Sequence, residues 1–328
     1  MFGLEIIGAA LTFLVFIGLS LAVTVPLTGT LVRLRANFNP KSLQLDPEDG
    51  ATPHTGPVIT GFFAMMRRVK RLEGWAGLYK GLMPTLLSNT FLVLFTVVVF
   101  GPLVAHPKNR GSYNAPATGA LGTLLYSVVL MFVSLPAVIL TYRAITTPHR
   151  LPYLAPAHSL RVLLTPTERR RPWVLYLTPG LLAAETLHIA YVVLGLRALR
   201  HIMLPEITGH DNNDWDQVSW FRLAVFYGIV VASTVVLSPL EVVSTRLAVQ
   251  RNHAAAEYNS VQQEEEGDAE ETMEYAGADE DVIGLRSEMD PYFGLVDCVQ
   301  KIVHEEGWTA LYRGWWLTLV FGVFGAFA

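Results

Sequence analysis

One cysteine, Cys298, stands in a chain of 328 residues. An internal disulfide is therefore excluded, as is any site built on two thiolates, and cysteine usage leaves the redox compartment open. Charge is scarce too: Asp, Glu, Lys and Arg make up 16% of the residues against 52% hydrophobic ones, and the mean hydropathy is +0.37. Soluble domains carry about a quarter charged residues, so this composition describes an integral membrane protein. The sequence lacks a glycine-rich phosphate loop, a nucleophile beside a base and a metal-ligand cluster, which excludes the common enzyme classes. No Lys or Arg precedes the first apolar run, Ile6 to Val25, and Glu5 stands in its flank. That run is unlike a secretory leader and is long enough to span, so it is read as a retained helix.

Apolar segments occupy residues 4 to 34, 84 to 104, 117 to 142, 179 to 199, 221 to 249 and 315 to 328. Six spans put both ends of the chain on one side. The connections after the first, third and fifth segments are long, while those after the second and fourth are short and carry Pro, Asn and Gly. The long-loop face holds 19 of the 24 Lys and Arg residues, the bias of a matrix-like or cytosol-like side.

Two distant peptides repeat one signal: Glu73-Gly74-Trp75-Ala76-Gly77-Leu78-Tyr79-Lys80-Gly81 and Glu306-Gly307-Trp308-Thr309-Ala310-Leu311-Tyr312-Arg313-Gly314. Each opens an apolar run, so the repeating unit is a membrane hairpin. The first, third and fifth segments each hold a late proline followed seven residues on by arginine: Pro26 and Arg33, Pro136 and Arg143, Pro239 and Arg246. Proline removes a helical hydrogen bond and bends the helix, which predicts three similarly kinked helices around one axis. Backbone freed by each kink must find a partner or face a watery cavity.

These residues resemble the mitochondrial carrier family, whose threefold repeat ends each odd helix in Pro-x-Asp/Glu-x-x-Lys/Arg-x-Lys/Arg and opens each even helix with Asp/Glu-Gly-x(4)-aromatic-Lys/Arg-Gly. The likeness covers essentially the whole chain. It is closest in the third repeat and weakest in the second, where Glu168 to Pro179 has the spacing of Glu73 to Pro84 without the glycine doublets. The resemblance implies an all-α membrane protein, six transmembrane helices in three pseudo-repeats, with repeats at 1–110, 111–205 and 206–328. It further implies a central cavity that opens alternately to the two sides.

The family's ion pairs at the closed end join acidic and basic slots of neighbouring odd helices. Here those slots hold Thr28, Val138 and Glu241, and Leu31, Thr141 and Ser244, so no complete pair is expected. The outer slots, near Gly101, Val104, Leu196 and Leu199, hold no charge. Glu241 is then a lone intramembrane carboxylate, either hydrogen-bonded and facing water or lining the cavity to bind a cation or solute. The retained arginines predict structural pairs Arg33 with Glu73, Arg143 with Glu168 and Arg246 with Glu306. Carried over by resemblance, substrate contacts fall on Ser88 and Asn89, on Ala183 and Ala184, and on Phe321 and Gly322. Glu185 joins them as a further polar contact, with His188 beside it, a pair that reads more readily as an interhelical hydrogen-bond network than as a metal or proton site. These uncharged slots predict a neutral, zwitterionic or amphipathic solute.

Lys80-Gly81 and Arg313-Gly314 resemble the family's cardiolipin-binding turns, and cardiolipin is the one structural lipid expected; they read equally as basic and aromatic anchors at the interface. No cofactor, metal or nucleic-acid partner is expected, and the chain should be a monomer among membrane lipids. Arg67, Arg68, Lys70 and Arg71 form a basic face suited to lipid headgroups. Residues 251–290 are acidic and poor in large apolar residues, which predicts a disordered insertion in the third repeat. Trp315 to Ala328 supply about 21 Å of helix against a hydrocarbon core of about 30 Å, so either the last span is truncated or it extends back through Tyr312. Two functions are open: solute transport across the mitochondrial inner membrane by alternating access, or a non-transporting, carrier-like scaffold, fusion or insertion factor, with the outer membrane as its place.

Overall fold

The computed structural model describes residues 2–40, 44–46, 50–52, 59–104, 119–152, 155–205, 219–252, 276, 281–288 and 290–325. Three helices carry the prolines: α1 (Phe2–Ala36), α5 (Gly119–Thr146) and α10 (Trp220–Val249). Between them lie short helices on the long-loop face and the even spans. The first repeat contributes α2 (Phe62–Leu72), α3 (Gly74–Leu78) and α4 (Leu82–Val104). The second contributes α6 (Pro156–Leu163), α7 (Pro166–Arg170), a 3-10 turn at Pro172–Leu177, and α8 (Leu181–Ala190). A π-turn at Tyr191–Arg197 carries α8 into α9 (Ala198–Met203). The third repeat adds α11 (Leu295–Glu305), a 3-10 turn at Trp308–Tyr312, and α12 (Trp315–Gly325). A small antiparallel ribbon, β1 (Gln44–Asp46) with β2 (Gly50–Thr52), pairs Leu45 with Ala51.

Among the described residues, five spans are long and apolar enough to cross a membrane: Ile17–Ala36, Gly74–Val99, Leu121–Thr146, Leu181–Met203 and Trp220–Val249. The sixth apolar segment forms α12, with 11 described residues, packed along α10. Leu87, Val97, Val98, Leu121, Leu125 and Phe221 are exposed on the spans, as lipid-facing side chains must be in a bilayer. Helices α1, α5 and α10 contact one another pairwise. Each proline lies ten residues before the last residue of its helix.

A tyrosine answers each proline. Pro26 has no N–H for the Ala22 carbonyl, and the Tyr79 hydroxyl donates to that oxygen at 3.2 Å. Likewise Tyr176 donates to Phe132 O, four residues before Pro136, at 2.9 Å. Tyr312 donates to Val235 O, four residues before Pro239, at 3.3 Å. The backbone acceptors freed by the prolines are thus each taken up by a side-chain donor of the same repeat.

Glycine lets each even helix start against the next repeat. Gly81, Gly180 and Gly314 all take positive φ, at 89°, 81° and 76°. A Cβ on Gly81 would stand 2.7 Å from Ile145 Cγ1, on Gly180 2.2 Å from the Leu295 nitrogen, and on Gly314 2.5 Å from Leu31 Cδ1. First repeat meets second, second meets third, and third meets first, which closes the ring.

The expectation of disorder across 251–290 is corrected at its far end. Residues 253–275, 277–280 and 289 lie outside the described residues, but Val282 and Ile283 are buried among Phe62, Met65 and Val69. Two branched aliphatic side chains in a mainly acidic stretch are enough to seat that end on the bundle.

Candidate functional site

The three arginines meet the acids that open the even halves. Arg33 Nη2 lies 2.7 Å from Glu73 Oε2. Arg143 holds Glu168 in a fork, with Nη1 to Oε2 at 2.6 Å and Nη2 to Oε1 at 2.9 Å. Arg246 holds Glu306 in the same way, Nη2 to Oε2 being 3.0 Å. All six residues are buried, and each pair also reaches the end of the next odd helix. Lys80, paired with Glu73, donates to Thr147 O at 2.9 Å; Arg143 donates to Gln250 O at 2.6 Å; Arg246 donates to Asn37 O at 3.1 Å. The pairs rivet the repeats to one another on the long-loop face.

Within the bundle, Glu241 is not alone, which corrects the reading of the gate. Arg35, on α1, donates to its carboxylate and, at 2.9 Å, to Thr318 Oγ1. Thr318 itself donates to Glu241 Oε2 at 2.6 Å, and His188 Nε2 lies 3.6 Å from Oε1. Arg35 sits four residues beyond Leu31, the empty basic slot. One helical turn keeps it on the same face, so the cation for Glu241 arrives a turn late. Among the described residues this is the one acid–base pair linking two odd helices inside the bundle.

Above this cluster lies a cavity of about 290 Å³ bounded by α8, the π-turn, α10 and α12. His188, Glu241 and Thr318 give it a polar floor, Val192, Phe226 and Phe321 line its apolar flank, and Arg197 and Arg200 border it further along the fourth span. Arg197 lies nine positions after His188, about two helical turns further along the span. The site therefore offers a hydrogen-bonding floor, an apolar middle and a cationic end.

Of the expected contact residues, Phe321 and Gly322 line this cavity. Ala184 is fully buried, and neither it nor Ala183 borders the cavity. The cause is a misplaced register: the fourth span begins at Gly180, the positive-φ counterpart of Gly81 and Gly314, and not at the position that aligning Pro179 with Pro84 implies. Counting from Gly180 moves the slot to Leu187 and His188, and His188 lines the cavity. Glu185 is absent from the cavity lining, as are Ser88 and Asn89. The outer slots Gly101 and Val104 have no described side-chain environment.

Lys80 and Arg313 do not reach outward as a phosphate clamp. Both turn inward, Lys80 to Glu73 and Thr147 O, and Arg313 to Glu306 at 2.8 Å and to Asn37 O. The strong buried carboxylates beside them hold them there. Arg68 likewise leaves the expected lipid-facing set, donating to the carbonyls of Asp281 and Val282.

Reasoning from sequence missed Arg35, Arg197, Arg200, Tyr176 and Gly180. Arg35 was within reach of a search one turn past the vacant slot, and Arg197 and Arg200 were visible as the basic residues of an otherwise apolar span. Tyr176 and Gly180 carried no usable signal, because their spacing departs from that of the other two repeats.

Residues 223–328 match the family described as mitochondrial carrier protein. No curated protein matches the chain.

Proposed function

We propose that the chain is a divergent member of the mitochondrial carrier family, whose model residues 223–328 match, and that it carries a small amphipathic solute across the mitochondrial inner membrane by alternating access. On this reading the chain is a transporter rather than an enzyme, and the match of residues 223–328 with the five apolar spans among the described residues supports a multi-pass mitochondrial membrane protein. The observation that favours an amphipathic solute is the cavity between α8, α10 and α12, polar at its floor, apolar in its middle and cationic at Arg197 and Arg200. A dicarboxylate or nucleotide would place its second anionic group on apolar wall or against Glu241, at a high desolvation cost. A single anionic or zwitterionic head on an apolar body matches all three zones. Cardiolipin, as a structural lipid, would be held by the amides that open α4 and α12, since Lys80 and Arg313 face inward.

Purified protein in liposomes should take up medium-chain carboxylates or acyl zwitterions and should leave dicarboxylates and nucleotides outside. Arg197→Gln with Arg200→Gln should lower that uptake about tenfold or more, the factor that one lost charge-assisted contact of about 1.5–3 kcal/mol sets. One observation favours a second reading: among the described residues a single charge pair, Arg35 with Glu241, joins the odd helices where the family uses three. Absence of flux for every solute, together with placement in the outer membrane, would make the chain a non-transporting scaffold, fusion or insertion factor.

A further inference from the structure

The insertion in the third repeat leaves and rejoins the bundle at one point. Gln250, just past the end of α10, donates through Nε2 to Tyr292 O at 3.1 Å and accepts from the Tyr292 amide at 2.8 Å. From this clasp the described parts of the insertion reach all three repeats on the long-loop face. The Ala276 amide donates to Pro148 O, beyond the end of α5, at 2.9 Å. Asp281 and Val282 accept from Arg68 on α2 at 3.0 and 3.1 Å.

Beyond Arg68 the contacts tighten. The Phe38 amide donates to Gly284 O at 2.8 Å, and the Gly284 amide donates to Asn37 Oδ1 at 3.0 Å. Val282 and Ile283 are buried with Phe62, Met65 and Val69. Arg286 then lies over the rings of Phe38 and Tyr292, at 5.4 and 4.9 Å, and pairs with Glu305 on α11 and with Asp290. Beneath the segment is a second cavity, of about 260 Å³, bounded by Phe38, Arg143, Thr147, Arg246, Gln250 and Arg286. Its walls thus combine the ends of α1, α5 and α10 with the insertion itself.

A loop that needed only to connect Gln250 to Tyr292 could stay in solvent, because lengthening a solvated loop costs little. This one instead gives up the freedom of its far end to bind the first repeat. We infer that Ala276 and residues 281–288 and 290–292 form a strap that holds the long-loop mouth of the bundle closed and must lift before that mouth opens. Any movement that parts the first repeat from the third must break the Arg68, Asn37 and Phe38 contacts together, since they sit on one short segment. The strap is therefore an intramolecular brake on one of the two openings, and its control of flux rests on the alternating-access reading above.

The test uses the full chain with Thr147→Cys as a reporter in the wall of the second cavity. Cys298 is fully buried, and burial pushes its thiol up to about 12, so it stays silent toward maleimide near neutral pH. Two strap variants are compared with the reporter alone: Val282→Asp with Ile283→Asp, and the milder Arg68→Gln. Labelling at the reporter should speed up at least tenfold in the first and severalfold in the second, with Cys298 still unlabelled. Labelling of Cys298 in the double variant would mark lost folding, and Arg68→Gln alone then decides. Unchanged labelling at the reporter in the folded variants overturns the strap. Faster labelling without flux of any solute keeps the strap and removes transport, whereas flux with unchanged labelling does the reverse.

Discussion

Glu168 is the most enclosed of the three paired acids, at 0% exposure. Its carboxylate accepts from both Arg143 terminal nitrogens, from the Thr165 amide and from the backbone and side chain of Asn252. Burial alone would push this carboxyl up. The Arg143 bonds and charge, with the Asn252 and Thr165 donors, outweigh it and hold the group below its ordinary value. A depressed acid contributes stability that is complete above its unfolded value, about 4.3, and that is lost as pH falls through the lower folded value. Thermal melting in detergent should therefore be insensitive to this group from pH 5 upward and should fall below about pH 4. Glu168→Gln should flatten that acid limb and lower stability by about 3–5 kcal/mol, the cost of leaving Arg143 buried without its partner. Tyr79, Tyr176 and Tyr312 act at the same scale. Replacing each with Phe should cost about 1 kcal/mol, read from chemical unfolding, because each leaves one proline-freed carbonyl without its donor.

At the scale of elements, the second repeat departs from the other two while keeping their geometry. Glu168 opens no glycine doublet; instead Thr165 caps α7 through a reciprocal bond with Glu168, the hydroxyl accepting from the Glu168 amide at 3.2 Å. A 3-10 turn then brings Tyr176 to Phe132 O, and Gly180 starts α8. Gly180→Ala should be the most damaging of the glycine substitutions at the even-helix starts. It combines a left-handed backbone, which costs about 1–2 kcal/mol for a residue with Cβ, with a clash against the main chain of Gly294 and Leu295. At Gly81 and Gly314 the obstructing atoms belong to the side chains of Ile145 and Leu31, which can rotate aside. Melting temperatures of the three alanine variants should rank in that order. The π-turn in the fourth span is a local departure of the kind often found at functional sites, and it borders the cavity through Val192, Leu196 and Arg197.

For the whole molecule, the ring is closed by contacts that run from each repeat to the next, while a linked polar cluster in the interior joins all three repeats. Arg35 ties the first repeat to the third through Glu241 and Thr318, and His188 brings in the second. A double-mutant cycle on Arg35→Gln and Glu241→Gln, scored by unfolding free energy, should give a coupling between about 0.5 and 3 kcal/mol. Additive losses would remove the pair as a gate. Reversing the charges, Arg35→Glu with Glu241→Arg, should restore part of any flux that either single reversal abolishes.

Composition, the six apolar runs and the nonapeptides at Glu73 and Glu306 determined the membrane class and the hairpin repeat, because lipid exposure and helix starts are local demands written in adjacent residues. Arg33, Arg143 and Arg246 could be matched with their acids for the same reason, since a buried guanidinium needs a carboxylate and each repeat offers one at its even-helix start. Tertiary structure alone decided that Tyr176 serves Pro136, that Arg35 serves Glu241 and that Gly180 sets the register of the fourth span. Each depends on which atoms meet across helices far apart in the chain. The seating of Val282 and Ile283 belongs with these: an acidic stretch reads as solvated until a pocket formed by Phe62, Met65 and Val69 accepts its two aliphatic side chains.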